Sequence, residues 1–195
     1  MKRLLIVIFA VLACLGMSAQ KPNGTFTLYP RVGINLSKFS GDKIYAYISE
    51  PKQVDAKYKT GFTAGAEMQY QMSDVIALSG GLLYSRQGTG FGDIPDMKGF
   101  KMSSDNINVP ILLLATTNIG LNLKLGLQPE FRVSTAFDKI MNRVTLSMPI
   151  GLSYDYRNFE LDVRYNFGIT SVYNSDVQAA YNKSFVLTLS YGIDL

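Results

Sequence analysis

Apolar and polar residues alternate along much of this chain. Between residues 121 and 132 every second residue is apolar, and nearly all residues between them are polar or charged. Side chains on a β-strand point alternately to its two faces, so this segment has one apolar and one polar face. The same pattern recurs to the last residue and predicts about eight strands, at residues 25–37, 59–72, 75–87, 104–117, 121–132, 143–156, 159–170 and 183–195.

The connections between these strands alternate in length. Those near Ser73, Ile119 and Asn158 are hairpin-sized, whereas the others, at residues 38–58, 88–103, 134–142 and 171–182, are long. Short turns at one end and long loops at the other are typical of outer-membrane barrels. The sequence therefore predicts an all-β fold, an eight-stranded antiparallel transmembrane β-barrel with short periplasmic turns and long extracellular loops.

Aromatic residues on the apolar faces fall near the two predicted rims. We expect one girdle near the periplasm and one near the outside, as a barrel in lipid has; their members are Phe26, Tyr70, Tyr154, Tyr156 and Phe159, and Phe62, Tyr84, Phe131, Phe167 and Phe185. The competing fold is a soluble closed barrel of lipocalin type, with the apolar face inside around a small ligand. Periodicity alone does not separate the two folds.

The fourth strand is the least regular. Pro110 cannot donate a hydrogen bond to the neighbouring strand, so it predicts a bulge or a local break. If residues 107, 109, 111 and 113 face outward, Leu112 and Leu114 point into the barrel.

The N-terminus has the form of a secretory signal peptide. Lys2 and Arg3 are followed by an apolar stretch over residues 4–15 and by small residues up to Ala19. We expect residues 1–20 to be removed on export and residues 21–195 to form the barrel. A lipoprotein would instead be cut before Cys14, but Leu12 stands where a small residue is usual.

The composition excludes several chemistries. The chain has no histidine, so a Ser-His-Asp triad is impossible and zinc catalysis is disfavoured. The one cysteine, Cys14, lies in the predicted signal. The small positive net charge comes without a Lys/Arg cluster, so nucleic acid is not an expected partner. We expect no catalytic residue, no metal site and no cofactor.

Charged residues on the polar faces are the strongest candidate site. An eight-stranded barrel is just wide enough to be filled by side chains, and buried charges need partners of opposite sign. We predict a structural network of paired charges that closes the interior; the alternative is a narrow pore. The residues are Arg31, Glu67, Lys124, Glu130, Arg132, Glu160, Asp162 and Arg164.

The long loops are the candidate contact surfaces, since loops commonly carry binding residues. Exposed aromatic residues suit partner recognition, although the same rings could pack on the barrel rim or on lipopolysaccharide. The candidates are Tyr45, Tyr47, Tyr58, Phe91 and Phe100.

Four segments resemble the PorT-type outer-membrane β-barrel family. They are Gly61-Phe62 with Gly65 and Glu67, and residues 80–88, 107–113 and 159–170. The resemblance implies a barrel in the outer membrane of a Gram-negative bacterium, surrounded by lipid and lipopolysaccharide and inserted by the barrel-assembly machinery. It also raises secretion-system proteins as partners. A non-enzymatic structural or surface-interaction role is the expected function, with an accessory role in secretion and a narrow pore as alternatives.

Overall fold

The computed structural model describes residues 21–40, 45–47, 51–53, 56–91, 101–135, 141–173 and 180–195. The predicted signal peptide lies outside these ranges. Within them the chain forms β1 (Phe26–Ser40), β2 (Tyr45–Tyr47), β3 (Pro51–Gln53), β4 (Ala56–Gln71), β5 (Ile76–Phe91), β6 (Lys101–Asn108), β7 (Ile111–Thr116), β8 (Leu121–Thr135), β9 (Val144–Tyr156), β10 (Phe159–Ser171), β11 (Tyr181–Tyr191) and β12 (Ile193–Asp194).

The strands close into one antiparallel barrel. β6 and β7 both pair with β5 on one side and β8 on the other, so they are two halves of a single barrel strand. β11 and β12 likewise share β1 as a neighbour. Pairing of β1 with β11 joins the first barrel strand to the last. The barrel therefore has eight strands, as the sequence predicts.

The short turns lie at one end, which faces the periplasm in barrels of this class. There, Met72 to Val75 connect β4 to β5, and Arg157 with Asn158 connects β9 to β10. Arg157 adopts a φ of 55°, the left-handed conformation that tight hairpin turns require. The long connections lie at the opposite, outer end.

Polar side chains face the interior and apolar ones face outward. On β8, Asn122, Lys124 and Gln128 are buried, whereas Leu123 and Leu125 are about half exposed. The same division holds around the barrel. Because the exposed wall is apolar and the interior is polar, the lipocalin-type alternative is wrong. The predicted girdles also form, with ring pairs Phe26–Tyr70 at 4.6 Å and Phe62–Tyr84 at 5.4 Å between centroids.

The strand at Pro110 confirms the expected break. β6 ends at Asn108 and β7 begins at Ile111, and Leu112 and Leu114 are buried inside the barrel.

The expected bounds of the long loops are wrong, because strands extend into all four of them. In the segment 38–58, β1 runs on to Ser40, β4 begins at Ala56, and β2 pairs with β3 as a separate hairpin. The other three loops are entered by the ends of β5, β6, β8, β10 and β11. In addition, no helix in the described part of the chain is long and apolar enough to cross a membrane.

Candidate functional site

Six charged side chains meet inside the barrel, in what we term the ionic layer. It consists of Arg31 on β1, Glu67 on β4, Lys124 on β8, and Glu160, Asp162 and Arg164 on β10. Each of these side chains is at most 4% exposed. Alternation along β10 explains the three from that strand, because residues 160, 162 and 164 share one face.

Arg164 binds Glu67 across the interior. Its Nη1 and Nη2 atoms donate to the two carboxylate oxygens of Glu67 at 2.6 and 2.8 Å, which is the strong bidentate geometry. β11 and β1 separate β10 from β4, so this pair spans the barrel instead of joining neighbouring strands. Arg164 Nη2 also donates to Asp162 Oδ2 at 2.8 Å.

Arg31 and Lys124 link the remaining carboxylates into the same layer. Arg31 Nη2 donates to Glu160 Oε1 at 2.9 Å and lies 3.1 Å from Glu67 Oε2. Lys124 Nζ donates to Glu160 Oε2 at 2.7 Å and to Asp162 Oδ2 at 2.5 Å. The ionic layer thus contains three cations and three carboxylates, so its formal charge is balanced.

Inward-facing glycines make room for the ionic layer. Gly81 is the direct strand partner of Glu67, and Gly151 is that of Arg164. A Cβ atom at Gly81 would lie 2.6 Å from Glu67 Cγ, and one at Gly151 would lie 2.8 Å from Arg164 Cγ. Sequence reasoning missed both glycines. Their inward position in the alternation was the available signal, but their partners depend on the register between strands.

Glu130 and Arg132 belong to a separate polar layer nearer the outer end. Glu130 accepts hydrogen bonds from Ser147 Oγ at 2.7 Å, Gln128 Nε2 at 3.0 Å and Asn182 Nδ2 at 3.2 Å. Arg132 donates to Ser104 Oγ at 2.9 Å and to the Asn142 carbonyl. The structure therefore brings six of the eight predicted interior charges together and places the other two elsewhere.

Apolar clusters lie at both ends of the polar interior. Toward the short turns, Ala77, Leu112 and Leu114 are packed together and buried. At the outer end is a second cluster, which we term the apolar cap; it consists of Phe39, Met102, Met141, Val172 and Ala180, with Tyr173 packed against it. Sequence reasoning missed the cap, because all five of its members lie in segments predicted to be long loops.

A small cavity lies beside the ionic layer. The cavity is next to Arg31 and Arg164 and has a volume of about 10 Å³, which is about the space of one water molecule. Its lining is polar except for Leu83 and Val186, two buried apolar side chains.

Of the candidate loop contacts, Tyr58 is 52% exposed, and the ammonium group of Lys38 lies 4.9 Å from the centre of its ring. The structure describes only the backbone at Tyr45, Tyr47 and Phe91, and Phe100 lies outside the described residues. Within the described ranges, no group of three or more His, Cys, Asp or Glu side chains is arranged to hold a metal ion.

Two solved outer-membrane proteins share this architecture. Neisserial surface protein A has a TM-score of 0.54 and 14% identity, and the match covers 85% of this chain and 96% of that one. OprG from Pseudomonas aeruginosa has a TM-score of 0.52 and 12% identity, and the match covers 91% of this chain and 99% of OprG. At these identities the likeness shows the fold alone. No curated protein matches the chain closely enough to indicate a relative.

The protein-family model described as outer membrane protein beta-barrel domain matches residues 18–174, which is most of the chain. Its description agrees with the apolar outer wall and with the closed eight-stranded topology. The chain therefore belongs to the outer membrane protein beta-barrel domain family and is a protein of the bacterial outer membrane.

Proposed function

We propose that this protein is a non-enzymatic outer-membrane barrel whose interior is closed to solutes and which acts through its outer end. The observation that carries the proposal is the ionic layer, in which Arg164 and Glu67 join opposite sides of the barrel. With a closed interior, the protein would not transport solutes through the barrel. Its function would then depend on the long connections at the outer end.

The energetics of the ionic layer support closure. A passing solute would have to separate charges that are almost fully excluded from solvent. Removing one member of a buried pair typically costs about 3–5 kcal/mol, because the remaining charge is left without compensation. An eight-stranded barrel is also narrow enough for side chains to fill it.

The residue chemistry supports a non-enzymatic role. Without histidine, the chain lacks the commonest general base. The carboxylates of the ionic layer are all engaged by Arg31, Lys124 or Arg164, so they are poorly suited to accept a substrate proton.

Conductance in planar lipid bilayers tests the proposal. The wild-type barrel should show near-zero conductance, and Glu67→Ala with Arg164→Ala should raise it by removing the link across the interior. Arg86→Gln is the matched control. Arg86 Nε lies 3.7 Å from Asp105 Oδ1 and its side chain is 53% exposed, so this variant removes a charge outside the ionic layer. Stable wild-type channels whose conductance changes with the ionic-layer variants would contradict closure and support the narrow pore.

The resemblance of residues 80–88, 107–113 and 159–170 to the PorT-type family supports a second role, as an accessory component of a secretion system. In this role the partners would be secretion-system proteins, in addition to the barrel-assembly machinery that we expect to insert the barrel. A deletion strain distinguishes the roles: loss of a defined set of secreted proteins would support the accessory role, and an unchanged secretome would support an autonomous barrel.

A further inference from the structure

Two lysines stand directly opposite each other on the outer wall of the barrel. Lys38 on β1 and Lys183 on β11 are partners in the antiparallel register. The next pair toward the outer end, Phe39 and Asn182, is buried inside the barrel. Because side chains alternate between the two faces of a sheet, Lys38 and Lys183 point outward, toward the membrane.

This arrangement is unfavourable without an anion. Side chains at directly opposed positions have Cβ atoms about 5 Å apart, and like charges there destabilise the sheet. Among the residues whose side chains the structure describes, neither lysine takes part in an ion pair. Among the side chains that the structure describes, no carboxylate offsets this pair, so an anion from outside the chain would relieve the repulsion.

The lysines lie in the aromatic girdle of the outer end. Phe167 is the strand partner of Lys183 on the side away from β1, and the Lys38 ammonium lies over the Tyr58 ring at 4.9 Å. One step below, Leu36 and Phe185 form the next outward pair. Aromatic girdles mark the level of the lipid headgroups, so the two ammonium groups lie where phosphate groups of the outer leaflet lie.

We propose that Lys38 and Lys183 form a binding site for a phosphate group of lipid A, the membrane anchor of lipopolysaccharide. Two ammonium groups supply point charges and donors to one phosphate. The rings of Tyr58 and Phe167 border the pair on both sides and provide apolar surface next to the acyl chains. This site goes beyond the proposed function, since it lies on the outer wall and does not depend on whether the interior is closed.

A binding titration tests the site. Diphosphoryl lipid A, its dephosphorylated form and phosphatidylglycerol would each be added to the folded barrel in nonionic detergent, and bound lipid measured by native mass spectrometry. Each lysine near an anionic surface contributes about 1 kcal/mol, so Lys38→Gln with Lys183→Gln should weaken diphosphoryl lipid A binding about 30-fold. The same variant should leave binding of the dephosphorylated form unchanged.

Two matched variants serve as controls. Lys38→Arg with Lys183→Arg keeps both charges and should keep binding. Arg143→Gln with Arg157→Gln removes two exposed cations elsewhere and should change binding little. Wild-type affinity in the double glutamine variant would overturn the proposal. An equal loss for phosphatidylglycerol would also overturn it, because the pair would then attract any anionic lipid.

A second measurement separates the site from a structural role. In nonionic detergent alone, Lys38→Gln relieves repulsion, so its urea midpoint should rise above that of the wild type. With diphosphoryl lipid A present, the wild type gains stability from binding, so the order of the midpoints should reverse. A shift of the same sign under both conditions would contradict a phosphate site.

Discussion

Glu67→Gln tests whether the ionic layer acts as one balanced unit. The side chain keeps its shape but loses its charge, and it places an amide group against Arg164, whose guanidinium donates to Glu67 at 2.6 and 2.8 Å. Arg31 Nη2, at 3.1 Å from Glu67 Oε2, also loses one of its two charged partners and keeps Glu160 Oε1 at 2.9 Å. Because three cations would then face two carboxylates, we expect the free energy of unfolding to fall by about 3–5 kcal/mol.

Urea unfolding in detergent or lipid vesicles measures this loss. The folded fraction is monitored by the heat-dependent shift in gel migration. Arg86→Gln is the control, because its pair with Asp105 is exposed and lies at 3.7 Å; it should cost less than about 1 kcal/mol. The double variant Glu67→Gln with Arg164→Gln restores charge balance, so its cost should be less than the sum of the two single costs by about 1–3 kcal/mol.

Two results would refute this reasoning. If Glu67→Gln cost no more than Arg86→Gln, the interior charges would be hydrated and weakly coupled. If the costs of the two single ionic-layer variants simply added, Glu67 and Arg164 would act independently in spite of their bidentate contact.

Three further predictions concern the interior and the wall. Gly81→Ala should destabilise the barrel strongly, because the added Cβ would lie 2.3 Å from a backbone oxygen. Gly80→Ala is the control and should be tolerated, because the nearest atom to its Cβ would be 3.7 Å away. Gel-shift assays of folding compare the two variants. Leu125→Arg in mid-strand should cost about 2–4 kcal/mol of folding into vesicles, and Val133→Arg near the outer end about 0–1 kcal/mol; equal costs would contradict the assigned depths. Phe39→Ala in the apolar cap should cost about 3–5 kcal/mol in urea unfolding, with bilayer conductance still near zero because the ionic layer persists.

The strands could be predicted because burial on one face imposes a period of two. The expected strands at 121–132 and 159–170 match β8 and β10 closely at their short-turn ends. At the outer end several strands run beyond the expected limits, as β1 does to Ser40. Pairing with a neighbour holds a strand together after its apolar alternation ends, and pairing is not visible in a single segment.

The candidate site could be predicted as a set of residues but not as an arrangement. Alternation identified the charges that share the polar face, including all six of the ionic layer. It did not separate Glu130 and Arg132 from that layer, nor did it identify Gly81 as the partner that makes room for Glu67. Those relations depend on the stagger between strands, which a period of two leaves undetermined.

By itself, the sequence determined that this chain forms about eight two-faced strands joined alternately by short and long connections, and that histidine chemistry is absent. Only the tertiary structure decided which face is inside, because the alternation is the same for a barrel with an apolar interior and for a barrel with an apolar outer wall. It also decided which charges meet: Glu67 and Arg164 are 97 residues apart in sequence. Closure of β1 against β11 brings them together, because a contact across the interior exists only once the sheet has curved through all its strands.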